Sequence, residues 1–74
     1  MEELIAILEE IQPDADYRNC TTLIDDGVLT SFDVISIVSE LEEAYDIRIL
    51  PAEIVPANFN SAEAMYAMVQ RLKK

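Results

Sequence analysis

The stretch from residue 30 to residue 45, TSFDVISIVSELEEAY, decides the fold of this protein. Its apolar residues recur at spacings of three and four, which is typical of an amphipathic helix. The apolar stripe consists of Phe32, Ile35, Val38, Leu41 and Tyr45, widened by Val34, Ile37 and Ala44. The polar face carries Asp33, Ser36, Ser39, Glu40 and Glu43, with Glu42 beside it. The pattern therefore predicts a strongly acidic amphipathic helix in the middle of the chain.

The start of this helix is marked by a capping pattern. Thr30 is the expected N-cap, and Asp33 is placed to reach back to the N–H of the cap as a shortened capping box. Ser31 then occupies the first helical position, beside unpaired backbone N–H groups and the positive end of the helix dipole. A phosphate ester on Ser31 fits that setting. The position at a helix start does not by itself distinguish a phosphate-bearing serine from an ordinary capping serine, which is commoner.

Upstream, residues 2–12 predict a first helix that ends before Pro13. Its apolar positions are Leu4, Ile5, Ile7, Leu8 and Ile11. Residues 14–29 lack sustained periodicity and predict a long connection, in which Gly27 supplies a turn. We expect its apolar side chains to fix it to the bundle: Tyr17, Leu23, Ile24, Val28 and Leu29.

Downstream, alternation and Pro51 predict an extended segment over residues 47–51. Residues 51–58 allow only single helical turns. A last helix is predicted from Asn60 or Ser61, with Asn60 and Glu63 as a capping box. Its core-facing positions are Ala62, Met65, Tyr66, Met68, Val69 and Leu72, and its C-terminal end carries Arg71, Lys73 and Lys74. The chain is thus predicted to be all-α, a single domain over residues 1–74 with three main helices and a short helical turn before the last.

Composition narrows the function further. With 74 residues the chain has space for one small core and little space for a deep catalytic cleft. One cysteine and no histidine exclude an internal disulfide and a zinc site of the Cys and His type, so we expect no metal. The net charge of −10 opposes binding to nucleic acid or anionic lipid and favours a basic partner surface. Without a long apolar run or a basic leader, we expect a cytoplasmic monomer with no membrane insertion.

Several other sites can be weighed against ordinary structural roles. A catalytic Ser31 would need a base, and the chain has no histidine. A calcium loop with Gly27 at its sixth position would put Thr22 first and Ile24 third, where acids are required, so that hypothesis fails. Met65 and Met68 could line an acyl pocket, although core packing is the usual role at such spacing. Phe59 is interpreted as a core anchor and Cys20 as a packing residue.

The stretch from Leu23 to Val38, LIDDGVLTSFDVISIV, resembles the phosphopantetheine attachment region of acyl carrier proteins, including the stand-alone D-alanyl-carrier-like group. The similarity extends over essentially the whole chain, because the first helix, the long loop and the segments 41–49 and 58–61 also correspond. The family fold is the helical bundle predicted above.

The resemblance implies that Ser31 receives a 4'-phosphopantetheine arm from coenzyme A through a phosphopantetheinyl transferase. The thiol of the arm then carries acyl or aminoacyl groups as thioesters, as in fatty acid, polyketide or nonribosomal peptide biosynthesis. The resemblance also implies that acids on the second helix bind basic surfaces of the acyl- or aminoacyl-activating and acyl-transfer enzymes. The matching positions are Asp33, Glu40, Glu42 and Glu43. The expected protein is a carrier that acts as a co-substrate and has no catalytic residues.

Two positions depart from the family pattern. Phe32 stands where leucine is commonest, and a large apolar side chain is retained. Thr30 stands where the family usually has aspartate; it can cap the helix but lacks the carboxylate that the transferase commonly meets. The alternative is therefore a carrier-like interaction module that stays unmodified and binds basic partners through its acidic second helix.

Overall fold

A computed structural model describes residues 2–73, and all its regular structure is helical. The helices are α1 (Glu2–Ile11), α2 (Ser31–Tyr45), α3 (Pro56–Phe59) and α4 (Ala62–Leu72), with one 3₁₀ turn at Pro51–Glu53. The prediction of three main helices is confirmed, and the single turns expected between residues 51 and 58 are the 3₁₀ turn and α3. Lys74, expected at the end of the last helix, lies outside the described residues.

The core forms where α1 packs against α2 and α4, while α3 packs against α4. The apolar face of α1 is buried as predicted except at Ile11, which is half-buried, and Met65 and Met68 of α4 are buried. Phe59 is buried as the anchor at the entry to α4. The long connection adds Tyr17, Leu23 and Leu29 to the core, with Ile24 and Val28 half-buried against it. Burial of these side chains explains how a 19-residue segment without regular structure, residues 12–30, stays attached to so small a domain.

The face that α2 turns to the core differs from the stripe that the sequence predicted. Val34, Ile37 and Leu41 are buried, whereas Phe32 is 77% exposed and Ile35 is 66% exposed. At about 100° per residue, Phe32 lies roughly opposite the middle of the buried face. The apolar residues of α2 fit two overlapping stripes with spacings of three and four, and packing against α1 selects the stripe that contains Val34. The prediction that Phe32 and Ile35 share the core-facing stripe was therefore wrong.

The start of α4 also differs by one residue. Its N-cap is Ser61, whose Oγ accepts a hydrogen bond of 3.0 Å from the N–H of Ala64. The predicted capping box of Asn60 and Glu63 is absent, because the Asn60 side chain binds the long connection instead. Its Oδ1 accepts from the N–H groups of Ile24, at 2.9 Å, and Asp25, at 3.1 Å. A contact between distant parts of the chain has displaced the local one.

The segment after α2 has no helix or strand over residues 47–50 and is extended at Leu50, whereas Pro51, predicted as its last residue, begins the 3₁₀ turn. Asp46 ends the helix in a left-handed conformation with φ of 54°, and its N–H donates to the Glu42 carbonyl. Ile49 is then buried while Arg48 and Leu50 are exposed. In residues 2–73, none of the helices has the length and apolar character required to traverse a lipid bilayer.

Candidate functional site

Ser31 is the first residue of α2, and its side chain is exposed. Both halves of the predicted capping box are present. Thr30 Oγ1 accepts from the N–H of Asp33 at 3.2 Å, and Asp33 Oδ2 accepts from the N–H of Thr30 at 3.1 Å. These two bonds fix residue 31 as the helix start, so the Ser31 hydroxyl has a defined position at the protein surface.

The backbone N–H groups at the start of α2 differ in whether they have an acceptor. The capping box uses the N–H groups of Thr30 and Asp33, and the N–H of Val34 bonds to the Thr30 carbonyl. The N–H groups of Ser31 and Phe32 have no acceptor among residues 2–73. Unpaired N–H groups and the helix dipole attract an anion at this end of the helix. The site can therefore stabilise a phosphate ester on Ser31, whereas no histidine is present to deprotonate the hydroxyl.

The loop before Ser31 is held by both the backbone and the side chain of Asn60. The Leu23 N–H donates to the Asn60 carbonyl at 2.8 Å, and the Leu29 N–H donates to the Leu23 carbonyl at 2.9 Å. Between them, Gly27 turns the chain with φ of 73° and donates to the Ile24 carbonyl. Together with the two bonds to Asn60 Oδ1, these contacts tie the approach to Ser31 to the start of α4.

Asn60 is thus a site residue that sequence reasoning missed. It was interpreted as a local helix cap, and only its pairing with a segment about 35 residues away shows its role. No pattern in a single sequence marks such a pair.

A groove of about 470 Å³ opens beside Ser31. Apart from Thr30 and Ser31 its lining is apolar: Ile24, Leu29, Val34, Ile35, Ile54, Val55, Pro56 and Phe59. No ionisable side chain lines it. Met65 and Met68, the other possible lining of an acyl pocket, are fully buried in the core and do not reach this groove. The space next to Ser31 is therefore suited to apolar groups.

The four acidic residues expected to bind partners do not share one environment. Asp33 belongs to the capping box, and Glu42 Oε2 accepts from the N–H of Ile49 at 2.8 Å. Glu40 and Glu43 are exposed and have no side-chain hydrogen bond or ion pair among residues 2–73. They are three residues apart, so they lie on the same face of α2. The partner-binding roles of all four acids remain predictions. Of the four, Glu40 and Glu43 are the most available to a partner.

Basic side chains are few, and most of the described ones have partners away from Ser31. Arg18 pairs with Glu2, and Lys73 lies 5.9 Å from the centre of the Tyr45 ring. Arg71 binds Glu53 through two hydrogen bonds of 2.8 and 3.0 Å, and this pairing lowers the pKa of the Glu53 carboxyl. None of these three contacts involves a residue at the start of α2 or in the lining of the groove.

Comparison with known proteins identifies similar carriers over most of the chain. The D-alanyl carrier protein of Lactococcus lactis subsp. lactis is 31% identical, and the match covers 97% of this chain and 94% of that protein. The D-alanyl carrier protein of Lactococcus lactis subsp. cremoris is 32% identical, and the match covers 93% of this chain and 90% of that protein. Aminoacyl carrier protein 1 of Bradyrhizobium diazoefficiens is 38% identical, and the match covers 85% of this chain and 69% of that protein. No protein-family model matches the chain, and no solved structure matches it significantly.

Proposed function

This chain belongs to the family of acyl and aminoacyl carrier proteins, and from that premise we propose that it carries its cargo as a thioester on a 4'-phosphopantetheine arm attached to Ser31. One observation carries the proposal most strongly. The Ser31 hydroxyl is exposed at the start of α2, next to two unpaired N–H groups and an apolar groove.

The residues present fit such an arm. Ser31 Oγ would form the ester, and the unpaired N–H groups of Ser31 and Phe32 would favour the negative charge of its phosphate. The groove offers apolar walls, including Ile35 and Val55, to the arm or to its cargo. When attached, the arm supplies a terminal thiol on which an acyl or aminoacyl group is held as a thioester. The protein's own part is to fix the attachment point and present it.

The names of the relatives favour an aminoacyl cargo. Two are D-alanyl carrier proteins and one is an aminoacyl carrier protein. In that case an activating enzyme loads the thiol and an acyl-transfer enzyme unloads it, while a phosphopantetheinyl transferase installs the arm from coenzyme A. The chain itself would act as a co-substrate with no turnover of its own, since Ser31 has no histidine as a base.

Electrostatics supports basic docking surfaces on these partners. The chain carries a net charge of −10, and Glu40 and Glu43 are exposed on α2 without partners among the described residues. Charges of opposite sign would increase the rate of encounter and orient the two proteins. We assign the larger share of this role to Glu40 and Glu43, because Asp33 and Glu42 also bind the backbone of their own chain.

Mass spectrometry tests the attachment. Incubation with coenzyme A and a broad-specificity transferase is expected to add the mass of one phosphopantetheine. Ser31→Ala should abolish the addition, whereas Ser39→Ala, which removes another exposed serine of α2, should leave it intact. Failure of several such transferases to modify the wild-type chain would contradict the proposal.

A second candidate function follows from Thr30. The family resemblance leads us to expect a carboxylate at this position, whereas the N-cap here carries a hydroxyl, so a transferase would meet one fewer acid beside Ser31. The alternative is an unmodified carrier-like module that binds basic partners through α2. Protein from its source cells that is always unmodified, together with partner binding that Ser31→Ala does not change, would favour this alternative.

A further inference from the structure

One wall of the apolar groove contains no buried side chain. Ile54, Val55 and Pro56 form this outer wall, in the segment between α2 and α4. None of residues 50–58 is buried, although the residue on each side of this range is. Burial of apolar side chains is the main stabilising contribution in most folds. Here it fixes the two ends of the segment and leaves the outer wall between them without core contacts of its own.

Polar contacts take the place of the missing core contacts. Glu53 and Asn58 are the two half-buried residues in the range 50–58. Arg71 of α4 donates two hydrogen bonds to the Glu53 carboxylate, at 2.8 and 3.0 Å. Asn58 Nδ2 donates to the Glu53 carbonyl at 2.7 Å and to Glu53 Oε1 at 3.2 Å. We call Glu53, Asn58 and Arg71 the polar cluster, which joins the residue just before the outer wall to α4.

The backbone of the outer wall adds no further connection to the bundle. Within residues 2–73, the backbone hydrogen bonds of residues 53–58 go to partners in the range 50–60. The Ile54 N–H donates to the Pro51 carbonyl, and the Val55 N–H donates to the Glu53 carbonyl. A segment with few buried contacts can open locally while the rest of a domain stays folded. Because Glu53 directly precedes Ile54, moving the wall away from the groove should pull Glu53 from its partner on α4.

We propose that the polar cluster holds the groove closed, and that the outer wall opens, with the helical bundle still folded, when the Glu53–Arg71 ion pair breaks. Glu53 and Arg71 are then positioning residues, which control the space beside Ser31 through the two apolar side chains of the wall. The Arg71 side chain is 51% exposed, so the pair is weak enough to open often.

The polar cluster then also affects the cargo. A closed wall should shield an apolar group on the arm from water, and an open wall should expose that group. This consequence rests on the proposed attachment of the arm to Ser31, whereas the opening of the wall does not.

Amide hydrogen exchange of the full, unmodified chain tests the opening. The amides of Ile54 and Val55 report the outer wall, and Arg71→Met removes the ion pair. Arg18→Met is the matched control, because it breaks the other described ion pair, with Glu2, and neither of those residues lines the groove. Both variants should lose some global stability, so unfolding experiments alone do not separate them. Exchange at the wall does.

We expect Arg71→Met to speed exchange at Ile54 and Val55 by about 2- to 5-fold, because the closed state loses the pair and the open state never had it. Arg18→Met should leave exchange at these two amides unchanged. Glu53→Gln should also speed it. Adding Glu53→Gln to Arg71→Met should have little further effect, because the pair is already broken.

The consequence for cargo is measured on the modified chain. A broad-specificity transferase attaches an octanoyl-loaded arm from octanoyl-coenzyme A, and hydroxylamine then cleaves the thioester. Its nitrogen bonds to the carbonyl carbon and gives a proton to the departing sulfur, which leaves a hydroxamic acid and the free thiol. Cleavage should be faster in Arg71→Met than in wild type. An acetyl thioester, which offers little apolar surface to the groove, should be cleaved equally fast in both.

Three results would overturn the proposed opening. In the first, Ile54 and Val55 exchange at the wild-type rate in Arg71→Met. In the second, they exchange in the wild type as slowly as the buried amides of α2, so that the wall opens only when the whole chain unfolds. In the third, Arg18→Met speeds them as much as Arg71→Met does.

The other outcomes concern the cargo. Equal cleavage of the octanoyl thioester in wild type and Arg71→Met would overturn the shielding while the arm on Ser31 stands. Failure of every transferase to modify the wild-type chain would overturn both the arm and the shielding, and exchange at the wall would still decide the opening.

Discussion

Replacing Asn60 with alanine should destabilise the protein strongly for a single polar substitution. The Asn60 amide accepts hydrogen bonds from the N–H groups of Ile24 and Asp25 and donates to Asp25 Oδ2 at 3.3 Å. Alanine removes all three bonds. The backbone bond from Leu23 to the Asn60 carbonyl remains, so the fold itself should persist.

The magnitude follows from what each lost bond leaves behind. The exposed N–H of Asp25 can bond to water, so its loss costs about 0.5 kcal/mol. The N–H of Ile24 lies in a half-buried part of the chain, and leaving it unpaired costs about 1–2 kcal/mol. We therefore expect a loss of about 2 kcal/mol. For a domain of this size the total free energy of unfolding is on the order of 4–11 kcal/mol, so the change is large.

Urea unfolding followed by circular dichroism measures this loss. With a slope of about 1 kcal/mol per M, the midpoint should fall by about 2 M at an unchanged slope, and Tm should fall by about 8–16 °C. Asn19→Ala is the matched control, because Asn19 is exposed and its side chain bonds only to the nearby Asp16 side chain. The control should stay within about 0.5 kcal/mol of wild type. Equal stability of the two variants would refute the assignment of Asn60 as the tie between the loop and α4.

Three further outcomes are expected. Thr30→Ala should lower the free energy of unfolding by about 1 kcal/mol through loss of the N-cap, whereas Thr30→Asp, which keeps an acceptor, should not. Thermal unfolding compares the two variants, and equal stability would contradict this prediction. Arg71 lowers the pKa of Glu53, so the Glu53 carboxylate stabilises the fold above its ordinary pKa of 4.5 and loses this effect as the pH falls. Arg71→Met should therefore reduce the difference between the urea midpoints at about pH 7 and about pH 3. An unchanged difference would disprove the link. Burial, followed by nearby negative charge, raises the pKa of Tyr17 from 10.0 to about 12, so its contribution is intact below pH 10.0 and declines as pH rises to about 12. Tyr17→Phe should make the alkaline decline smaller in a pH titration of stability, and should cost about 1 kcal/mol at neutral pH by losing the 2.6 Å bond to the Gln12 carbonyl. A decline as large as that of the wild type would argue against it.

Some features of the candidate site depend on neighbouring residues in the sequence, and others depend on contacts with distant residues. Ser31 at the first helical position and the capping box of Thr30 and Asp33 follow from residues within one turn, and both are confirmed. Asn60 could not be identified in the same way. Its side-chain amide can bind either the N–H groups of a local helix cap or those of a distant loop. The neighbouring sequence does not show which of these N–H groups lie close to it in the folded chain.

The orientation of α2 shows the same limit. Eight apolar residues between Phe32 and Tyr45 fit more than one stripe, so periodicity predicted a helix without selecting its buried face. Packing against α1 buried Ile37 and Leu41 and left Phe32 and Ile35 in water. The exposure of Phe32 and Ile35 beside Ser31 is a consequence of that rotation.

By itself the sequence determined the helices, the cap at Thr30, the turn at Gly27 and the acidic character of the surface, because each depends on neighbours along the chain or on composition alone. The tertiary structure decided which face of α2 is buried and how Asn60 ties the loop to α4. These depend on atoms that are far apart in sequence, and their energies are gained only when the helices pack together.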